Sequence, residues 1–139
     1  MNKDFKQISL KPGFMKHNGG ILFSTISENE YQFKATINKN HLNAAGITHG
    51  GFIAALVDSG AGTAAHRAAD GSPCVTISLE LKFISTVKLG QELVGKTKIQ
   101  KKTKSMVFLT CELITEDKIV ATASGVWKIL KSPGAGPGG

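Results

Sequence analysis

The segment from His41 to Asp70, HLNAAGITHGGFIAALVDSGAGTAAHRAAD, most constrains what this chain can fold into. Its first third lacks periodicity and contains turn-forming residues, which predicts a loop. From Gly50 onward, small and apolar residues repeat at helical spacing, and Gly71 is well placed to end a helix. We therefore predict one long helix over about residues 50–69, with a single acid, Asp58, in its middle.

Two glycines inside this predicted helix indicate how it packs. Gly60 and Gly62 each cost about 1 kcal/mol relative to alanine in a helix interior. Such costs are commonly tolerated where another backbone has to approach closely. The helix is therefore predicted to be wrapped by a sheet.

Strand-like runs flank the helix on both sides. ILFSTI and YQFKATI precede it as a hairpin, and four further runs follow it, over 74–84, 91–100, 105–115 and 118–130. The short connections KLG, KKTK and EDK predict antiparallel neighbours. The fold class is therefore α+β, with an antiparallel sheet of five to six strands around one central helix. In the run after the helix, one alternating set is predicted to pack in the core: Val75, Ile77, Leu79, Leu81 and Phe83.

Size and composition indicate one domain with terminal extensions. The 139 residues are 41% hydrophobic and 19% charged, as in ordinary globular proteins. We expect an N-terminal arm or short helix over 1–19, the folded domain over 20–131 and a disordered Gly/Pro-rich tail over 132–139. There is no apolar run long enough to span a membrane and no signal-peptide core at the N-terminus, so a cytoplasmic location is expected.

The net charge, the cysteines and the histidines limit which partners and which catalytic groups this chain can have. A net charge of +7 favours a polyanionic partner: a nucleic acid, an anionic membrane or a phosphate-rich small molecule. Cys74 and Cys111 have no CxxC spacing and lie in apolar runs, so buried, reduced thiols are predicted. Three of the histidines are interpreted as structural or solvated: His17, His41 and His66.

The polar residues that could carry chemistry lie in and around the predicted helix. They are Asn43, His49, Asp58 and Thr76. The unpaired N–H groups of the first helical turn, at Gly50 and Gly51, can polarise a carbonyl or stabilise an oxyanion. Asp58 lies about 12 Å along the helix from Gly50, at 1.5 Å per residue. Either the two serve different purposes, or the site is assembled between two chains.

These residues form a pattern that resembles one enzyme family, the hot-dog-fold acyl-CoA thioesterases of the phenylacetate-pathway (PaaI-like) group. The pattern is Asn43-x2-Gly46-x2-His49-Gly50-Gly51-x6-Asp58. It continues through Thr76-x2-Leu79-x3-Phe83 and Lys88-Leu89-Gly90, and the resemblance covers roughly residues 20–130.

The resemblance implies a hot-dog fold and an enzyme that hydrolyses acyl- or aryl-CoA to a free acid and CoA. It implies homodimers joined edge to edge, with two active sites at the subunit interface, and leaves open whether the dimers pair into homotetramers. Asn43, His49 and Gly50 would come from one chain, with the Gly50 N–H polarising the carbonyl. Asp58 of the partner subunit would act as general base or as nucleophile, and Thr76 would help to hold the attacking water.

The resemblance also implies how the substrate is bound and that no metal or redox cofactor is needed. The residues expected at the CoA site are Gly51, Phe83, Ser85, Lys88, Lys101, Lys102, Thr103, Lys104, Ser105 and Met106. Lysines are suitable point charges for the phosphates of CoA. The acyl pocket is expected to be shaped by Phe14, Phe23 and Phe52.

Two other interpretations remain open at this point. The same fold could bind acyl-CoA without hydrolysing it. Alternatively, the basic charge could serve a nucleic-acid-binding domain, although the basic residues are not interleaved with stacking aromatics.

Overall fold

In a computed structural model, which describes residues 4–130, an antiparallel sheet curves around one long helix. The helix α2 spans Gly50–Ala68, and the short helix α1 spans Phe14–His17. The strands are β1 (Lys6–Gln7), β2 (Leu22–Thr25), β3 (Glu30–Thr36), β4 (Cys74–Phe83), β5 (Glu92–Lys102), β6 (Met106–Thr115) and β7 (Lys118–Ile129). Their order in the sheet is β1-β2-β3-β5-β6-β7-β4.

The central helix confirms the prediction made from periodicity. It begins after the N-cap His49 and ends at the C-cap Ala69, after which Asp70 and Gly71 adopt positive φ angles of 55° and 84°. One face is buried in the core, and it consists of Phe52, Ile53, Leu56, Val57, Gly60, Ala61, Ala64 and Ala65. The opposite face carries mostly small residues and is not covered by the chain's own sheet.

Phe33 explains why a helical glycine lies in the core. Its ring is fully buried between Gly60 of α2 and Gly95 of β5, and a Cβ at either glycine would overlap the ring. Gly62 faces Trp127 in the same way, because a Cβ there would lie 3.2 Å from the indole Nε1. Glycine therefore permits a close approach of the sheet to the helix, as predicted, but the groups that approach Gly60 and Gly62 are aromatic rings and not another backbone.

The predicted strand count of five to six was one short. The seventh strand is the pair Lys6–Gln7, which hydrogen-bonds to the outer side of β2. Both of its side chains are exposed, so the sequence contains no alternation that would have revealed it. The predicted arm over 1–19 thus contains β1 and α1 within its described part, whereas the predicted tail over 132–139 lies outside the described residues.

The prediction that short connections join neighbouring strands was wrong for β4 and β5. β4 pairs with β7 at the sheet edge, whereas β5 pairs with β3 and β6. Within the connecting residues 84–91, Val87 is fully buried and its carbonyl oxygen accepts hydrogen bonds from Thr48, just before α2. Among the described strands, β4 therefore pairs on one side only, which leaves its other edge free.

A β-bulge corrects the predicted core face of β4. Thr76 pairs with Trp127 and Ser78 pairs with Val126, so Ile77 is the extra residue. The bulge reverses which alternate side chains face α2. Leu79 and Leu81 pack against the core as predicted, whereas Val75 does not join it and both Ile77 and Phe83 are more than half exposed.

Among the described residues, no helix is long and apolar enough to cross a membrane.

Candidate active site

The loop that leads into α2 is tied to the β4–β5 connection. Thr48 is buried, and both its backbone N–H and its Oγ1 donate hydrogen bonds to the carbonyl oxygen of Val87, at 3.2 and 2.6 Å. The next residue, His49, is the N-cap, and its Nδ1 accepts a hydrogen bond from the Gly51 N–H at 2.7 Å. This arrangement fixes the direction in which the first turn of α2 points.

Gly50 presents an open backbone N–H at the helix N-terminus. That group has no hydrogen-bond partner among residues 4–130, because the cap engages only Gly51. A Cβ at Gly51 would lie 2.8 Å from His49 Nδ1, so glycine at this position lets the imidazole reach the backbone. The Phe83 ring lies beside Gly50, 3.6 Å from the position of a Cβ. The arrangement offers one N–H and the positive end of the helix dipole to a carbonyl oxygen.

Asn43 shapes the same loop from within. Its Oδ1 accepts hydrogen bonds from the N–H groups of Ala45 and Ile47, at 2.9 and 3.3 Å. Its own backbone N–H donates to the Ile47 carbonyl at 2.8 Å. The residue is half-buried, and within the described part of the chain its side-chain Nδ2 donates no hydrogen bond.

Asp58 and Thr76 form a second polar group, on the open face of α2. The Thr76 hydroxyl donates a 2.7 Å hydrogen bond to Asp58 Oδ1. Both residues are exposed in the single chain, and Asp58 forms no ion pair with any described residue. The bulge at Ile77 is what lets Thr76 face the helix while Leu79 and Leu81 face it as well.

The structure thus brings the predicted site residues together in two groups. One contains Asn43, His49 and Gly50 at the N-terminus of α2, and the other contains Asp58 and Thr76. Asp58 is the eighth residue after Gly50 in the helix, about 12 Å along the axis. A single chain therefore does not place both groups around one carbonyl.

The predicted CoA-binding residues are divided in a similar way. The Phe83 ring lies beside Gly50, and Ser85 and Lys88 follow it in the connection that Val87 ties to Thr48 before α2. The Ser85 hydroxyl donates to the Ile119 carbonyl, and the Lys88 N–H donates to Gln91 Oε1 at 2.8 Å. The segment 101–106 lies at the other end of the helix, because Lys102 Nζ is 3.3 Å from Asp70 Oδ2. These ends are about 30 Å apart along the helix.

The turn within 101–106 is shorter than predicted. β5 continues through Lys102, so only residues 103–105 connect it to β6. Thr103 organises the turn, since its Oγ1 accepts from the Ser105 and Met106 N–H groups at 3.3 and 3.0 Å. Met106 is half-buried, whereas Lys101, Lys102 and Lys104 are exposed.

Sequence reasoning missed two residues that support the site. Val87 supplies the carbonyl that holds Thr48, and its fully buried side chain in a loop gave no periodic signal. Trp127 is 1% exposed, and its indole lies against Gly62, one turn after Asp58. The alternating pattern of β7 places Trp127 on the core face but does not reveal which helix residue it meets.

The thiols are not candidates for catalysis. Both are free; Cys111 is buried and Cys74 is half-buried, close to the prediction. Burial raises the pKa of the Cys111 thiol to about 12 and raises that of Cys74 as well. At neutral pH both remain protonated and poorly nucleophilic.

Comparison with known proteins identifies the family. The family model described as the Thioesterase superfamily matches residues 45–122, which include the start of α2, Asp58, Thr76 and much of the sheet. The chain belongs to the thioesterase superfamily, as the resemblance implied.

Similar proteins agree with this assignment. A Pseudomonas aeruginosa protein with a provisional esterase name is 34% identical over 94 residues, 67% of this chain and 70% of that protein. Mouse acyl-coenzyme A thioesterase 13 is 28% identical over 112 residues, 79% of this chain and 80% of that protein.

Solved structures share the hot-dog fold. The Escherichia coli PaaI protein from the phenylacetic acid degradation operon superposes with a TM-score of 0.75 at 19% identity, covering 84% of this chain and 83% of that one. The smu.793 protein of Streptococcus mutans, solved with bound acetyl CoA, has a TM-score of 0.73 at 18% identity, covering 79% and 88%.

Replacing Thr48 with valine is expected to loosen the start of α2. The variant loses the hydroxyl bond to Val87 and should lose about 1–2 kcal/mol of stability in chemical denaturation. Thr115→Val is the matched control, because Thr115 is also buried and its Oγ1 likewise donates to a backbone carbonyl, that of Glu92, at 2.8 Å.

Both substitutions should cost similar stability, but only Thr48→Val should accelerate amide hydrogen exchange at residues 49–53. Equal exchange rates in the two variants would contradict the assignment of Thr48 as the tie that fixes this turn.

Proposed function

We propose that this protein is an acyl-CoA thioesterase whose active sites are each shared by two subunits. One observation carries the proposal. An open N–H at Gly50 lies on the same helix as the Asp58 carboxylate, about 12 Å away; the carboxylate accepts a hydrogen bond from Thr76 and forms no ion pair among residues 4–130. Each is half of what thioester hydrolysis requires, and the described residues of one chain bring neither half to the other.

The proposed chemistry assigns one role to each group. The Gly50 N–H polarises the thioester carbonyl and stabilises the oxyanion that forms on it. Asp58 of the partner subunit takes a proton from water as that water attacks, or attacks the carbonyl itself. Thr76 orients the carboxylate and the water. When the carbon–sulfur bond breaks, the CoA thiolate leaves and takes up the proton that Asp58 removed from water. If Asp58 itself attacks, the thiolate leaves an acyl–Asp58 anhydride, which water then hydrolyses to the free acid and the regenerated carboxylate, the water supplying the proton for the thiolate. These residues supply the whole reaction, so the proposal needs no metal or redox cofactor.

His49 and Asn43 have supporting roles in this scheme. Through its cap on Gly51, His49 aims the neighbouring Gly50 N–H. Asn43 holds the loop by its Oδ1, which leaves its amide N–H groups free to contact the substrate.

The free edge of β4 and the open face of α2 support a two-fold dimer. If Gly50 meets Asp58 of the partner subunit, symmetry requires the reverse contact as well, so the axis passes near the midpoint, Ala54. Gly51, Ala54 and Ala55 are small enough for two helices to approach closely there. Ile77, half exposed in the edge strand β4, would be covered by the second subunit.

The same symmetry would combine the divided CoA-binding residues. With the helices antiparallel across the axis, the 101–106 turn of one subunit lies on the side of its partner's Gly50. The lysines of that turn would then bind the phosphates, while Phe83 beside Gly50 lines the path of the pantetheine arm. Bound acetyl CoA in the Streptococcus mutans structure supports this class of ligand.

The substitution Asp58→Asn tests whether the carboxylate is catalytic. Asparagine keeps the shape of the side chain and an oxygen that can accept the Thr76 hydrogen bond, but it cannot act as a base or as a nucleophile. Hydrolysis of acyl-CoA, followed by release of free thiol, should fall by about 10²–10⁴-fold. The control is Asp117→Asn, in the exposed β6–β7 turn, where φ is 64° and asparagine is readily accommodated.

Across a panel of short, medium, long and aryl acyl-CoAs, undiminished turnover in Asp58→Asn would refute the proposed mechanism. If the unmodified protein binds these thioesters tightly but releases no thiol from any of them, the non-catalytic binding module is the correct alternative.

Sharing of the site is tested by mixing Asn43→Ala and Asp58→Asn, each of which is expected to be inactive on its own. In a mixed dimer one site carries both defects and the other carries neither. Random re-association should therefore restore about a quarter of wild-type activity. No recovery in heterodimers confirmed by mass spectrometry would show that each site is built from one chain.

The phosphate contacts are tested by the double variant Lys102→Ala/Lys104→Ala. Its KM for acyl-CoA should rise about tenfold or more, and less at high salt, because the lost contacts are electrostatic. Its KM for the same acyl group on pantetheine, which lacks the nucleotide, should be unchanged. Lys118→Ala, at the start of β7, is the control, and an equal rise in KM for both substrates would rule out a role in nucleotide binding.

A further inference from the structure

His41 occupies an unusual position for a histidine. It ends the 3₁₀ turn Lys39–His41, and only 2% of its surface is exposed. It lies two residues before Asn43, so it belongs to the loop that carries half of the proposed site. Fully buried imidazoles require partners for both ring nitrogens.

Both ring nitrogens are satisfied by backbone groups of different segments. Nδ1 accepts a hydrogen bond from the Asn38 N–H at 3.0 Å. Nε2 is 2.6 Å from the carbonyl oxygen of Asn18, the residue that ends α1. Because Nδ1 is an acceptor, the proton is assigned to Nε2, which donates to Asn18. The neutral ring therefore links the N-terminal arm to the loop before α2.

The same residue also contacts the first turn of α2. Its ring stacks on Phe52, with centroids 3.6 Å apart and planes inclined by 10°. Its backbone carbonyl accepts a hydrogen bond from the N–H of His49 at 2.8 Å. A β-bridge between Leu42 and Thr48 closes the loop between these contacts. Gly50 therefore follows directly after a residue whose backbone is fixed by His41.

We propose that His41 is a positioning residue for the reaction, which sets the orientation of the Gly50 N–H and the loop of Asn43. The inference rests on the proposed function, since the group it orients is the one assigned there to the thioester carbonyl. His41 does not touch the substrate; it acts through His49 and Phe52. Displacing a hydrogen-bond donor by about 1 Å can lower the rate about a hundredfold. Loss of the rigid support from His41 should therefore produce a measurable fall in kcat.

The substitution His41→Phe tests how much the two hydrogen bonds of the imidazole ring contribute to catalysis. Phenylalanine retains an aromatic ring against Phe52 but can bond neither Asn38 nor Asn18. We expect kcat to fall about tenfold or more, while KM for acyl-CoA changes by less than about threefold, because the lost interaction is stronger in the transition state. His41→Gln, whose amide can still donate to Asn18, should restore part of kcat.

The matched control is His66→Phe. His66 lies in the last turn of α2, and its Nδ1 is 2.8 Å from the carbonyl oxygen of Ser72. Losing this bond should lower the melting temperature without changing kcat. If His41→Phe also lowers only the melting temperature, His41 has a merely structural role and the proposal is wrong.

A readout independent of turnover separates this inference from the proposed function. Amide hydrogen exchange at residues 49–51 should accelerate in His41→Phe but not in His66→Phe. If the wild-type protein hydrolyses no thioester, the proposed function fails while this exchange measurement still decides whether His41 holds the turn. Unchanged exchange together with unchanged kcat would overturn the inference.

Discussion

The packing of α2 against the sheet through Phe33 is the contact on which the rest of the structure depends. A single fully buried ring lies between a glycine of the helix and a glycine of β5. A side chain at either glycine would push the two layers apart. The short distance lets one sheet cover the apolar face of a 19-residue helix along its length, so that a chain of this size buries a continuous core.

This close wrapping also determines what remains open. The sheet covers one face of α2 with apolar residues and leaves the other face with glycine, alanine, serine and Asp58. The start of the helix is held by contacts from three directions: Val87 through Thr48, the cap of His49, and the ring of His41. The residues that could take part in a reaction are therefore either on the open face of α2 or at its rigidly held N-terminus.

The sequence was sufficient for the features that follow from local pattern. The limits of α2, the hairpin of β2 and β3 and the strands after the helix are all encoded in periodicity and turn residues. The motif from Asn43 to Asp58 led to the thioesterase superfamily, to which the chain belongs.

Features that depend on long-range pairing could not be predicted in the same way. The position of β4 at the sheet edge is decided by its pairing with β7, about 45 residues later in the chain, and not by the short connection that follows it. His41 was interpreted as structural or solvated, because a lone histidine in a loop gives no sign that its ring will meet Asn18, Asn38 and Phe52.

The bulge at Ile77 has a consequence for how this strand can change over evolution. Thr76 comes before the bulge and Leu79 comes after it, and both face α2 only because the bulge adds one residue between them. Deleting a residue here would keep the strand paired but turn either the hydroxyl or the leucines toward solvent. Insertions and deletions should therefore be tolerated in the β6–β7 turn and excluded from this short stretch of β4, although both are exposed.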